Sequence, residues 1–156
     1  MAAPAPAVRV TPPGIAMKDG YQSLVTFEDH EDIEFWEKIV QAPGIDGGDP
    51  IDTTTMHNTR WRVFRSRALF TLTEFDLTVA YDPVLYDSIL LLCNLETTVT
   101  ILFSNNDTLA FYGYLVRFDG DDMSEGEQPE GTITVQPTNW DPVNGVEEDP
   151  VLTQAA

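Results

Sequence analysis

The sequence predicts a mainly β protein, an antiparallel β-sandwich or barrel with one flanking α-helix and one long loop. Three observations lead there. Short segments alternate apolar and polar residues and are separated by clusters of Asn, Asp, Gly and Pro. A single segment shifts to helical period. Residues 41–68 keep no sustained period at all.

In chain order, residues 1–20 hold Pro4, Pro6, Pro12 and Pro13 and read as an extended N-terminal arm. "YQSLVTFE" alternates, with Ser23, Val25 and Phe27 on one side. "DIEFWEKIV" follows, with Ile33, Phe35 and Ile39 opposite Asp32, Glu34 and Lys38. These predict two strands joined through "DHE" as a tight hairpin. The long loop then runs into "RWRVFRSRALF", where Trp61, Val63, Phe64, Leu69 and Phe70 are interleaved with arginines. "TLTEFDLTVAY" is the clearest strand, with Phe75, Leu77, Val79 and Tyr81 on one face and Glu74, Asp76 and Thr78 on the other.

"DPVLYDSILLLCN" predicts the helix. Asp82 suits the N-cap, Pro83 the first turn, and Val84, Leu85, Ile89 and Leu92 share a face before Asn94 stops it. "LETTVTILFS", the turn "NND" and "TLAFYGYLVRFD" form a second hairpin, with Gly113 marking a bulge or a close approach. An acidic loop, "DGDDMSEGEQPE", leads to a last strand, "GTITVQP", with Ile133 and Val135 inward. The organisation expected is an arm over 1–20, one domain over 21–138 containing the loop 41–68, and an acidic tail over 139–156.

The totals exclude several classes. A chain of 156 residues, 42% hydrophobic, suits one domain with a real core. Cys93 is the only cysteine, so an intrachain disulfide and a thiol-based zinc site are both excluded. No apolar stretch approaches the ~20 residues of a membrane span, and the start lacks a secretory pattern. A soluble protein made in a reducing cytoplasm is therefore expected. The net charge of −18 leaves nothing to drive ordinary nucleic-acid binding.

Among only eight basic residues, four (Arg60, Arg62, Arg65 and Arg67) fall within eight positions. Arginine mixed with aromatics is the composition of interface hot spots, although a solvated basic loop, or a strand whose Trp61 and Phe64 face their own core, has similar composition. An acidic surface for this cluster is most readily supplied by another copy of the chain.

No catalytic constellation assembles. His57 lies near Thr53, Thr54, Thr55, Asp49 and Asp52, yet proximity on a loop is weak evidence for a triad, and hydrogen bonding that shapes the loop is the simpler reading. Asp119, Asp121 and Glu125 are close together, but the turn glycine and terminal Glu of a calcium loop are missing. No enzyme activity, cofactor or metal is expected. Acidic pairs recur instead, Glu74 with Asp76 and Asp32 with Glu34, while Glu96 begins another polar face. Solubility explains each pair alone; together they also suit a surface that lies near a polyanion without sticking.

Three stretches carry a resemblance: "GGDPIDTTTMHNTRWR", "VAYDPVLYDSILLLCN" leading into "TVTILFSNNDTLAFYGYLVRFD", and "EGTITVQPTN". Over residues 20–140 the sequence resembles the major tail tube proteins of long-tailed (siphovirus-type) bacteriophages, although "RSRALF" lacks the proline-glycine turn that often follows the basic part of their loop.

The resemblance implies a tail-tube fold, six copies closing into a ring, and rings stacked into a virion tail tube through which DNA leaves without specific binding. It also implies tail terminator, tape-measure and baseplate proteins as partners. In that picture the docking loop comprises Asp52, Thr53, Thr54, Thr55, Arg60, Trp61, Arg62, Phe64, Arg65 and Arg67, reaching to the adjacent ring. Asp32, Glu34, Glu74 and Asp76 are candidate lumen acids. Another β-rich virion component, a capsid decoration or tail-completion protein, is the alternative.

Overall fold

A computed structural model of the chain describes residues 19–28 and 30–155. The N-terminal arm expected over 1–20 lies, apart from Asp19 and Gly20, outside the described residues. The elements run β1 (Leu24–Phe27), β2 (Glu37–Val40), β3 (Ile45–Asp46), β4 (Ile51–Asp52), β5 (Phe64–Arg65), β6 (Thr71–Leu72) and β7 (Phe75–Ala80). Helix α1 (Leu85–Leu92) follows, then β8 (Thr97–Leu102), β9 (Thr108–Gly120), β10 (Glu130–Pro137), β11 (Trp140–Asp141), β12 (Val146–Glu147) and β13 (Val151–Thr153).

Seven strands make one antiparallel sheet in the order β1-β8-β9-β10-β7-β2, with β13 added along β9. A sheet this long twists and rolls, and here its two edges meet. The Val25 N–H on β1 donates to Glu37 Oε1 on β2 at 3.2 Å, and Phe27 meets the Phe35 ring edge to face at 6.3 Å. The barrel is therefore closed at its seam by side chains and not by a backbone ladder. Inside lie Val25, Phe27, Phe75, Leu77, Val79, Val99, Ile101, Phe111, Leu115, Ile133 and Val135, with Leu85, Ile89 and Leu92 of α1 covering one side. The sandwich or barrel with a flanking helix, expected from the alternation, is the architecture observed.

The two expected hairpins fare differently. "NND" turns β8 into β9, with Asn106 at φ +67 and the Phe103 N–H donating to the Asp107 carbonyl. "DHE" does not form a tight hairpin, because β1 pairs with β8 and β2 with β7, at opposite ends of the sheet order. Residues 30–36 instead lead to the opposite edge of the sheet order. Asp32 and Glu34 thus lie off any strand, in this crossing segment. Ile39, expected inward, faces out: the β2–β7 register shifts between Glu37 and Ile39, which turns Val40 to the core.

The strand expected over residues 71–81 is broken at Thr73 and Glu74, so that β6 pairs with β3 and β7 joins the barrel. Helix α1 begins two positions late. Asp82 Oδ1 accepts from the Val84 N–H at 3.1 Å and its carbonyl accepts from Leu85 at 2.9 Å, which makes a turn ahead of the helix and leaves Val84 exposed. Asn94, at φ +60, ends the helix as expected.

Gly113 is a close approach: a Cβ there would sit 2.9 Å from the Gln136 carbonyl oxygen. The stretch read as an acidic tail, 139–156, carries strands. β13 pairs with β9 from Val151 opposite Ala110 to Thr153 opposite Thr108. Asp141, 3% exposed, organises the turn that follows it between β11 and β12. Burial opposes its ionisation, but the N–H groups of Val143 and Asn144, the Asn144 amide and Tyr112 outweigh that and hold its carboxyl below the usual aspartate range.

Candidate assembly surfaces

Residues 44–73 form a projecting β-hairpin arm. Its base is a clasp in which the Gly44 N–H donates to Thr73 Oγ1 at 2.9 Å and the Thr73 N–H donates to the Gly44 carbonyl at 2.8 Å. Two short ladders follow, Ile45–Asp46 with Thr71–Leu72 and Ile51–Asp52 with Phe64–Arg65, both separate from the barrel sheet. Where the sequence shows only an aperiodic loop, glycines and threonines have built a defined strap.

The threonines shape its tip. The Thr53 N–H donates to the Val63 carbonyl at 2.9 Å, the Val63 N–H donates to Thr54 Oγ1 at 2.8 Å, and the Thr55 N–H donates to Asn58 Oδ1 at 2.7 Å. The Thr53 and Thr55 hydroxyls donate to the Val63 carbonyl and to Asn58 Oδ1, so neither is directed at the His57 imidazole.

The arginines divide into two pairs. Arg62 Nη1 bonds Asp52 Oδ2 across the hairpin at 3.0 Å, and Arg67 Nε donates to the Asp49 carbonyl at 2.8 Å while its chain lies over Gly48. Gly48 holds φ +80, and a Cβ there would be 2.7 Å from Arg67 Cδ. Arg60 stacks on Trp61 with its guanidinium 5.4 Å from the ring centroid. Arg60 and Arg65 have no carboxylate partner among the described residues. Asp52 is held below the usual aspartate range by the hydroxyl and N–H of Thr54 and by the Arg62 charge.

Apolar side chains on the arm face water: Met56 is 99% exposed and Trp61 73%, and Ile45, Phe64, Leu69 and Phe70 are also uncovered. Patches of this kind mark contact sites. The outer side of α1, with Tyr86, Leu90 and Leu91, is uncovered too.

The ladders put the arm and the acidic β9–β10 loop at opposite ends of the body. β7 runs from Phe75, next to the arm's base, to Ala80, and β10 runs back from Glu130 opposite Ala80 to Val135 opposite Phe75. Residues 121–129 therefore leave at the Ala80 end, where the Tyr81 N–H donates to the Pro129 carbonyl. The segment before β2 is at that end as well, since Trp36 accepts from the Ala80 N–H.

Between this segment and β1 lies a groove of about 510 Å³, with Val25, Ile33, Phe35 and Trp36 on its walls and Glu31 and Glu34 among its lining residues. Burial, and less so the neighbouring Glu34 charge, push the Glu37 carboxyl up from its ordinary value, against the pull of the Val25 N–H bond. Sequence reading missed this groove. Trp36, 70% exposed on the polar side of its segment, was the available signal.

The four candidate lumen acids do not share one surface. Glu74 and Asp76 lie on the outward side at the arm end, where Asp76 Oδ1 accepts from the Thr134 hydroxyl at 2.7 Å; Asp32 and Glu34 lie toward the other end. Asp119, Asp121 and Glu125 make no metal-holding group with other acidic, His or Cys side chains among the described residues. No helix among them is long and apolar enough to cross a membrane.

Over 93% of its length the chain matches 98% of a chain in the cryo-EM structure of the anti-feeding prophage (AFP) baseplate, 6-fold symmetrised, with a TM-score of 0.58 at 11% identity. The likeness is one of fold. No family model and no curated protein matches.

Proposed function

We propose that this chain is a structural virion protein that assembles with itself into hexameric rings, stacked to form a phage tail tube. The observation that carries the reading is the arm, a defined hairpin whose aromatic and arginine side chains are held in water by a framework that does not itself cover them. A basic projection at one end and acidic loops at the other make a contact of unlike surfaces, which propagates into rings or filaments and does not close as a dimer.

The fold likeness to a chain of a 6-fold symmetrised baseplate supports a place in a tail-type particle and a ring of six. The net charge of −18 would keep DNA from adhering inside such a tube. Asp76, on the outward face of β7, and Glu74, exposed just before that strand, remain candidates for the bore. Asp32 and Glu34 lie off the sheet, and Glu34 lines the groove beside β1. Tail terminator, tape-measure and baseplate proteins are the expected further partners, and neither catalysis nor a cofactor has a role.

Negative-stain microscopy of the purified chain at high concentration tests this. Stacked rings or tubes are expected; a chain that stays monomeric across salt and concentration would overturn it.

A further inference from the structure

Resting on the stacking just proposed, we infer that the groove between β1 and residues 31–37 is the socket that receives the arm tip of the next copy. The groove and the arm are at opposite ends of the body, so two copies set head to tail bring one arm to the other's groove without rotating either molecule end for end.

Their chemistry is complementary. The groove offers the exposed Trp36 and the half-buried Ile33 as apolar walls, and the arm offers Trp61 and Phe64. Glu31 and Glu34 line the groove without an ion pair among the described residues, and Arg60, stacked on Trp61, and Arg65 are arm arginines with no carboxylate partner among them. Lys38, the cation that lines the groove, is already paired with Glu130. The acidic loop beside the socket, with Asp121, Asp122 and Glu127, adds attraction that orients the approach.

Reach is sufficient. From Gly44 to Met56 an extended limb of twelve residue-to-residue steps spans up to about 40 Å, well beyond the roughly 20 Å of β7.

The test uses the full chain in a Cys93→Ser background, with Met56→Cys at the arm tip and Gln128→Cys at the groove. After treatment of assembled material with a short bis-maleimide, a ladder of covalent multimers is expected from the double-cysteine chain and none from either single. In parallel, Arg60→Glu with Arg65→Glu should reduce polymer yield by about tenfold or more, since like charges then face each other. Adding Glu31→Lys and Glu34→Lys to the same chain should restore most of it. All four positions are exposed, and an unchanged circular dichroism melt confirms that the body is folded. Tubes that form normally but give no ladder, or a charge swap that restores nothing, would overturn the socket and leave the tube reading standing. An unsubstituted chain that never assembles would overturn both.

Discussion

The barrel and the arm use the same aromatic residue types to opposite ends. In the barrel Phe75 is 1% exposed and meets Phe111 edge to face at 5.7 Å, because each alternates with Thr, Asp or Tyr along a strand paired on both sides. In the arm Trp61, Phe64 and Phe70 stand among arginines on a two-stranded ribbon that has no second layer. A ribbon of two strands cannot bury a face by itself. What separates the core from the arm's surface is therefore a covering layer, which the described residues supply to the barrel and not to the arm.

The strongest way to break this contrast is to truncate one aromatic in each region. Phe75→Ala should cost the monomer about 3–5 kcal/mol in chemical denaturation, because it leaves a cavity among well-packed side chains. Trp61→Ala with Phe64→Ala should leave monomer stability within about 0.5 kcal/mol while lowering assembly roughly a hundredfold by sedimentation. A large loss of monomer stability from the arm pair would mean that the arm packs on its own body.

A smaller effect tests the barrel wall. Gly113→Ala places a Cβ against backbone that cannot swing aside, and should cost about 1–3 kcal/mol.

The smallest effects come from two carboxylates pushed opposite ways, Glu37 at the seam and Asp52 on the arm. Glu37 is raised, so the folded state takes up its proton first. Its contribution is fully present below the ordinary glutamate value and is lost as pH rises through the raised one. Glu37→Gln keeps an acceptor for the Val25 N–H and should remove that slope from a pH series of melts while equalling or exceeding the parent at neutral pH. Asp52 is lowered, so what it adds to the hairpin is present above the ordinary aspartate value and is lost as pH falls through the depressed one. Asp52→Asn should loosen the arm, seen as faster amide exchange at Thr54, without moving the barrel's melting point.

Alternation alone made the inward residues of β7 and of β10 legible, Phe75, Leu77 and Val79 in one and Ile133 and Val135 in the other, since a residue's side of a strand follows from local pleating. Asn94 and Asn106 were legible for a related reason: a positive φ is a local demand that few residues meet. The proposed docking residues were visible as a composition, arginine and aromatics gathered in a chain otherwise short of positive charge.

Tertiary structure decided what no local signal carries. Which strand β1 and β2 pair with depends on the edges left free by the rest of the sheet, and a one-residue register shift then reversed Ile39 and Val40. The same holds for β13, a strand whose partner lies some forty residues back, and for the arginines, of which Asp52 and the Asp49 carbonyl claim two. Pleat and turn are properties of neighbours in the chain; pairing and charge partnership are properties of neighbours in space, and only the folded backbone brings those together.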